Sequence, residues 1–156
     1  MAFKIFLHGL ESSNQGTKAV FFRERYPDMS TPNFRGSLQQ RMEDLHKILA
    51  GKTNISVVGS SFGGLMGAIF SMENTSRVDR LILLAPAINF IEFTGYQEAP
   101  ISVPTWVFHG TQDEVIPIEE VEPVARMCFT RLHFNRVEDD HFLHNTFKSI
   151  DWDGIL

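Results

Sequence analysis

Along this chain, short apolar runs alternate with stretches whose apolar residues recur at helical spacing. Phe3-Lys4-Ile5-Phe6-Leu7 reads as a strand that ends at His8-Gly9. Thr17 is placed to cap a helix through Arg25, with Phe22 and Tyr26 a turn apart on one face and Pro27 as the stop. A short strand fits Asp28 to Thr31. Leu38, Met42, Leu45, Ile48 and Leu49 then mark a helical face, with Gly51 as terminator. Ile55-Ser56-Val57-Val58 is a strand ending at Gly59, and a helix of small residues follows from Phe62 to about Ser71. Leu81–Leu84 and Thr105–Phe108 are continuous apolar runs, as expected of strands covered on both faces. A helix over Ile118 to Phe129 buries Val121, Val124, Ala125 and Cys128, and Pro123 inside it predicts a kink or a later start. Leu132 to Val137 reads as the last strand and Phe142 to Ile150 as the last helix.

This alternation predicts a single α/β domain over residues 1–156, with about six mostly parallel strands and helices on both faces. Ligands of such sheets sit beyond the carboxyl ends of the strands. Four strand ends carry polar or glycine-rich residues: His8-Gly9, Gly59-Ser60-Ser61, His109-Gly110 through Asp113, and Asp139-Asp140-His141.

Composition narrows the partners. Of 156 residues, 43% are hydrophobic and 21% charged, a globular balance. Lysine and arginine total 14 against 19 aspartates and glutamates, for a net charge of −5. With no basic cluster, that sign argues against DNA or RNA as a partner. The one cysteine, Cys128, allows no internal disulfide and no thiolate metal site, so no metal is expected. The apolar start from Ala2 to Leu7 contains Lys4 and is too short for a signal-peptide core. No run reaches the roughly 18–20 apolar residues of a membrane span. A cytoplasmic protein with no membrane partner is the expectation.

Gly59-Ser60-Ser61-Phe62-Gly63 fits the G-x-S-x-G nucleophile elbow. That turn must be sharp enough to expose the serine oxygen, and glycines on either side let the backbone approach closely. The helix that follows aims its N-terminal dipole and the Phe62 N–H at developing negative charge. A serine hydroxyl needs a base and an orienting carboxylate, which in this arrangement follow in the order serine, acid, histidine. Asp113 lies in the loop after a strand, with Glu114 beside it as a competing acid. His141 follows the last strand directly, with His144 as the competing base inside the helical pattern. The Leu10 N–H, after His8-Gly9, is placed as the second oxyanion donor beside that of Phe62. His8 and His109 read as structural, and His46 and His133 as ordinary helix and strand residues.

At these residues the sequence resembles the α/β-hydrolases and, more narrowly, the compact bacterial YqiA-like esterases. The matching segments are Phe6 to Ser13 running into Thr17-Lys18-Ala19, then Gly59 to Gly64, Leu84-Ala85-Pro86-Ala87, Gln112 to Val115 and Asp139 to Phe142. The stretch from Ser12-Ser13 to Thr17-Lys18-Ala19 is the more specific part. The resemblance implies hydrolysis of a small-molecule ester or thioester without a cofactor. It carries the catalytic roles onto Ser61, Asp113 and His141. Asp139 stands where such families often have glycine, and it adds negative charge near the base.

A thioesterase or small-peptide hydrolase on the same three residues is the alternative among enzymes. A non-catalytic hydrolase-fold binding domain is the alternative outside them. Oligomeric state is left open. Where larger relatives carry a helical lid, only Ala87 to Pro100 connects two strands here. Its Phe90, Phe93 and Tyr96 are candidate substrate-binding residues, as a small cap over the acyl site or as the completion of the core.

Overall fold

Within each strand, successive side chains enter different cores. Ile5 and Leu7 join one apolar cluster and Phe6 the other; Val57, Leu81 and Leu83 go with the first, Val58, Ile82 and Leu84 with the second. The computed structural model describes residues 2–156. Five strands, β1 (Phe3–Leu7), β2 (Ile55–Ser60), β3 (Val78–Leu84), β4 (Thr105–Gly110) and β5 (Leu132–Val137), form one sheet in that order. Every pairing is parallel. Helices α2 (Leu38–Ile48), α3 (Phe62–Glu73) and α4 (Ile118–Cys128) contribute to the first cluster. Helices α1 (Thr17–Arg25) and α5 (Trp152–Ile155) contribute to the second, where Phe22 and Trp152 meet edge to face at 4.8 Å. No described helix is long and apolar enough to cross a membrane.

The α/β architecture is as expected, with local corrections. Among the described residues the sheet has five strands, close to the expected count of about six. Asp28 to Thr31 makes only an isolated parallel bridge, Ser30 to Ile5, because Pro27 and Pro32 flank it and supply no N–H to a ladder. Thr17 is inside α1 rather than its cap; Gly16 takes the cap position without a side-chain bond. α2 instead carries a full capping box between Ser37 and Gln40, and α4 runs through Pro123 from Ile118. The helix expected from Phe142 to Ile150 is absent. Turns and a short 3₁₀ segment (Phe147–Ser149) replace it, since side-chain carboxylates take the N–H groups that would begin a helix.

The isolated bridge at Ser30 lies on one side of β1, and β2 pairs with its other side. After β1 the chain moves outward and then returns to continue the sheet through β2. That reversal opens a crevice at the carboxyl ends of β1 and β2, where open α/β sheets place their ligands.

Candidate active site

Ser61 stands where β2 turns into α3, with φ 56° and ψ −114°. A serine holds that conformation only when its surroundings over-determine it. Its N–H donates to the Leu84 carbonyl at 2.9 Å, and its own carbonyl accepts the Ala87 N–H at 2.9 Å. The turn is also closed sterically. A Cβ on Gly59 would overlap the Gly63 carbonyl, and one on Gly63 would overlap the carbonyls of Leu7 and His8.

Asp113, in the turn after β4, is buried and divides its two oxygens. Oδ1 accepts the N–H groups of Val115 at 2.9 Å and Ile116 at 2.7 Å. Oδ2 faces two rings: His141 Nδ1 lies 2.7 Å away and His109 Nε2 lies 3.3 Å away. The other ring nitrogen of His141, Nε2, is 3.1 Å from Ser61 Oγ. These contacts assign the imidazole proton to Nδ1, so that Nε2 accepts from the serine hydroxyl. The three residues picked out from the sequence therefore form one hydrogen-bonded chain. Glu114 is exposed, and His144 turns away to pair with Asp140 at 2.5 Å.

His109 and His8 support this arrangement from below. Burial lowers the pKa of both rings. His109 Nε2–H donates to the Ile116 carbonyl at 2.8 Å beside Asp113. His8 donates from Nδ1 to Gly9 at 2.7 Å and accepts the Phe34 N–H on Nε2 at 2.8 Å. The loop carrying Leu10 is fixed in this way. Among the described residues neither the Leu10 nor the Phe62 N–H has an acceptor, which leaves both donors free. Burial pushes the Cys128 thiol up to about 11, so it is no competing nucleophile at neutral pH. No described group of histidine, cysteine and acidic side chains is arranged to hold a metal.

Ser61 and His141 open into a groove of about 620 Å³ whose apolar lining includes Leu10, Phe62, Phe90, Val115 and Phe142. A second hollow of about 670 Å³ lies against β4 and β5, lined by Trp106 and His133, and contains none of the three residues. Of the candidate substrate-binding residues, Phe90 reaches the groove, 6.2 Å from the Phe62 ring. Phe93 and Tyr96 do not. Phe93 is fully buried in the cluster behind α3, and Tyr96 stacks on it and donates its hydroxyl to Glu73 at 2.8 Å. Both complete the core because the 3₁₀ turn from Ile91 to Tyr96 carries them back toward α3. Val115, Phe142 and Lys18 line the groove without having been singled out for it. The signal available was adjacency, since Val115 and Phe142 sit beside Asp113 and His141 in sequence.

The profile of the "Uncharacterised protein family (UPF0227)" matches residues 3–102. No curated protein matches the sequence. Among solved structures, the chain is similar to alpha/beta hydrolase domain-containing protein 10 from mouse, at 20% identity and a TM-score of 0.72, over 89% of this chain and 81% of that one. It is similar to Est1E from Butyrivibrio proteoclasticus with ferulic acid bound, at 14% identity and 0.77, over 96% and 85%. An alpha-beta serine hydrolase homologue from Coxiella burnetii gives 18% and 0.75, over 95% and 81%. These likenesses establish the α/β-hydrolase fold.

Proposed function

The chain belongs to the uncharacterised protein family UPF0227 and has the α/β-hydrolase fold, and from that premise we propose that it is a serine esterase. It cleaves carboxylic esters through an acyl-enzyme on Ser61. The observation that supports this reading most is the hydrogen-bonded chain from Ser61 Oγ through His141 to Asp113, at 3.1 and 2.7 Å.

In that reading His141 Nε2 takes the hydroxyl proton as Ser61 Oγ attacks the ester carbonyl. Asp113 Oδ2 holds the ring in the Nδ1–H form and stabilises the imidazolium. The oxyanion of the tetrahedral intermediate is met by the Leu10 and Phe62 N–H groups, which have no partner among the described residues to give up first. His141 returns its proton to the leaving alkoxide, and then activates a water that releases the acid and restores Ser61. No cofactor takes part. A cytoplasmic setting is part of the proposal, supported by Cys128 being a free, buried thiol.

The test is a fluorophosphonate probe followed by mass mapping, together with a panel of esters, thioesters and amides. Phosphonylation of Ser61 with ester turnover is the expected result. A labelled Ser60 would overturn the assignment of the nucleophile, and an unlabelled protein that turns over nothing in the panel would sink the reading in favour of a binding domain. Preference for thioesters or amides would keep Ser61 and replace the substrate class.

A further inference from the structure

The segment from Ser12-Ser13 to Thr17-Lys18-Ala19 stood out in the sequence, yet none of its side chains belongs to the chain of hydrogen bonds at Ser61. Lys18, the second residue of α1, reaches across the groove. Its Nζ donates to the carbonyl of Phe142 at 2.8 Å, between residues 124 apart in sequence. Phe142 follows His141 directly, so the bond lands on the peptide next to the one that carries the imidazole. The ammonium also lies 5.4 Å from the centre of the Phe147 ring, and no described carboxylate is within ion-pair distance of it.

The loop that Lys18 meets has no helix or strand of its own to hold it. Leu143 is in the left-handed region at φ 54°, and Phe142 is 56% exposed. Its N–H groups are gathered by two carboxylates. Asp139 takes those of Asp140, Asn145 and Thr146, and Asp140 takes those of Phe142 and His144. A carboxylate can only accept, so it cannot bind a loop carbonyl. A donor must come from elsewhere for the Phe142 carbonyl, and Lys18 is that donor. Its long stem lets it arrive from α1, the helix that follows the Leu10 loop, and so ties the oxyanion side of the groove to the base.

We propose that Lys18 is a positioning residue for the reaction, holding the Phe142 carbonyl so that His141 Nε2 stays within hydrogen-bond reach of Ser61 Oγ. This rests on Ser61 and His141 being nucleophile and base. Lys18 itself touches neither reacting atom. Its effect is geometric, and a displacement of about 1 Å at a reacting group is enough to cost on the order of a hundredfold in rate.

The experiment compares Lys18→Met, which keeps the stem and removes every donor, with Lys18→Arg, which keeps a cationic donor. The substrate is p-nitrophenyl acetate, and kcat and KM are read separately. Proton NMR reads the downfield signal of the proton between His141 and Asp113. Lys18→Met is expected to lower kcat by about a hundredfold, with KM within about twofold and the downfield signal weakened or lost. Lys18→Arg is expected to recover most of kcat and the signal. Unchanged kcat in Lys18→Met, a change confined to KM, or equal losses in both variants with an intact signal would each overturn the proposal. Lys18→Gln, with a donor on a shorter stem, carries the same readouts if the Met variant does not fold, and wild-type kcat there would also overturn it. A wild-type protein that leaves Ser61 unlabelled by the fluorophosphonate would remove the parent reading and this one together; labelled wild type with an unaffected Lys18→Met removes only this one.

Discussion

The two walls of the groove bring Ser61 and His141 together, but they are held by different physics. On the Ser61 wall, backbone meets backbone. Leu84 and Ala87 clamp the serine peptide, Gly59 and Gly63 let the strand and helix touch, and Pro86 lies against Gly64 where a Cβ would sit 2.8 Å from it. Behind it α3 is buried through most of its length. On the His141 wall, side chains hold backbone. Carboxylates of Asp139 and Asp140 collect loop amides, and the ring itself is steered by a carboxylate from a different loop. The first wall is fixed by what cannot fit; the second is fixed by charge. A nucleophile needs one strained backbone conformation, whereas a base needs a ring orientation, and each wall supplies the kind of constraint its residue requires.

The comparison is broken most directly at the two facing groups. Ser61→Ala and His141→Ala should each remove ester turnover by about 10⁴-fold or more, since such residues act as a unit. Both variants should keep their circular dichroism and melting behaviour, because neither side chain is part of the backbone contacts that hold its wall. His144→Ala should cost little, as that ring faces Asp140 in solvent. A dead His144 variant beside an active His141 variant would place the base elsewhere.

A second pair separates the support of the Ser61 wall from its surface. Phe93→Ala, in the core behind α3, should cost about 3–5 kcal/mol in urea unfolding, the usual range for losing a buried aromatic ring. Phe90→Ala, at the groove and 38% exposed, should cost less than about 1 kcal/mol. The preference for longer acyl chains should respond the other way. Each substrate methylene buried against Phe90 is worth roughly 0.8 kcal/mol, so the climb from acetate through butyrate should flatten in Phe90→Ala and persist in Phe93→Ala. Equal chain-length profiles in wild type and Phe90→Ala would take that ring out of the acyl site.

The same difference explains what could be read in advance. The Ser61 wall is written locally. Glycines two before and two after the serine, a β-branched strand in front and small residues behind are all adjacent in sequence, and each is dictated by a steric contact within the turn. The parallel strands were equally legible, because burial on both faces leaves continuous apolar runs such as Leu81–Leu84. From Phe142 onward the pattern predicts a helix that the His141 loop does not form. Its apolar residues, Phe142, Leu143 and Phe147, have helical spacing, but Asp139 and Asp140 cap the amides individually and Leu143 takes a positive φ. Nothing local distinguishes those two outcomes. Phe93 and Tyr96 take the core alternative of the two the sequence leaves open, because a short apolar connection looks the same whether it folds over the groove or under it. The capping box between Ser37 and Gln40, by contrast, has a purely local signature, a serine with a glutamine three residues on.

The His141 wall is the place to test the charge-held half of the comparison. Burial pushes the Asp139 carboxyl up, but hydrogen bonds from Thr146, Asp140 and Asn145 outweigh it and bring its pKa below the usual carboxylate range. Asp139→Asn keeps the shape and weakens those bonds, and is expected to lower kcat by about ten- to a hundredfold through misplacement of His141. Asp140→Asn, on an exposed carboxylate, should cost less. The charge of Asp139 near the base would matter through the pH profile, and its grip on the loop through kcat at every pH. An unchanged kcat in Asp139→Asn, with activity that only rises at low pH, would make Asp139 an electrostatic neighbour rather than a fastener.

The smallest expected effect concerns acid, and it acts on both walls. His8, under the Leu10 loop, and His109, beside Asp113, are buried, and burial lowers both from the ordinary value of 6.5. Protonating His8 would put a hydrogen where Nε2 now accepts the Phe34 N–H; protonating His109 would put one on Nδ1, which is buried without an acceptor among the described residues. The unfolded chain takes up these protons near pH 6.5 and the folded one only at lower pH, so the unfolded state binds more protons in that window. The stability they contribute is therefore complete above pH 6.5 and is lost as pH falls toward the lowered folded values. Urea unfolding measured from pH 8 to 5 should show that decline, at no more than about 1.4 kcal/mol per pH unit for each histidine. His109→Gln and His8→Gln should each be less stable at pH 8 yet lose less on acidification, one from each wall. The two carboxylates of the His141 wall, Asp139 and Asp140, also have lowered pKa values and act in a separate window, below their ordinary 3.8. A decline that begins only below pH 4, or one unaltered in both variants, would assign acid sensitivity to the carboxylates and leave the two histidines with a purely steric part.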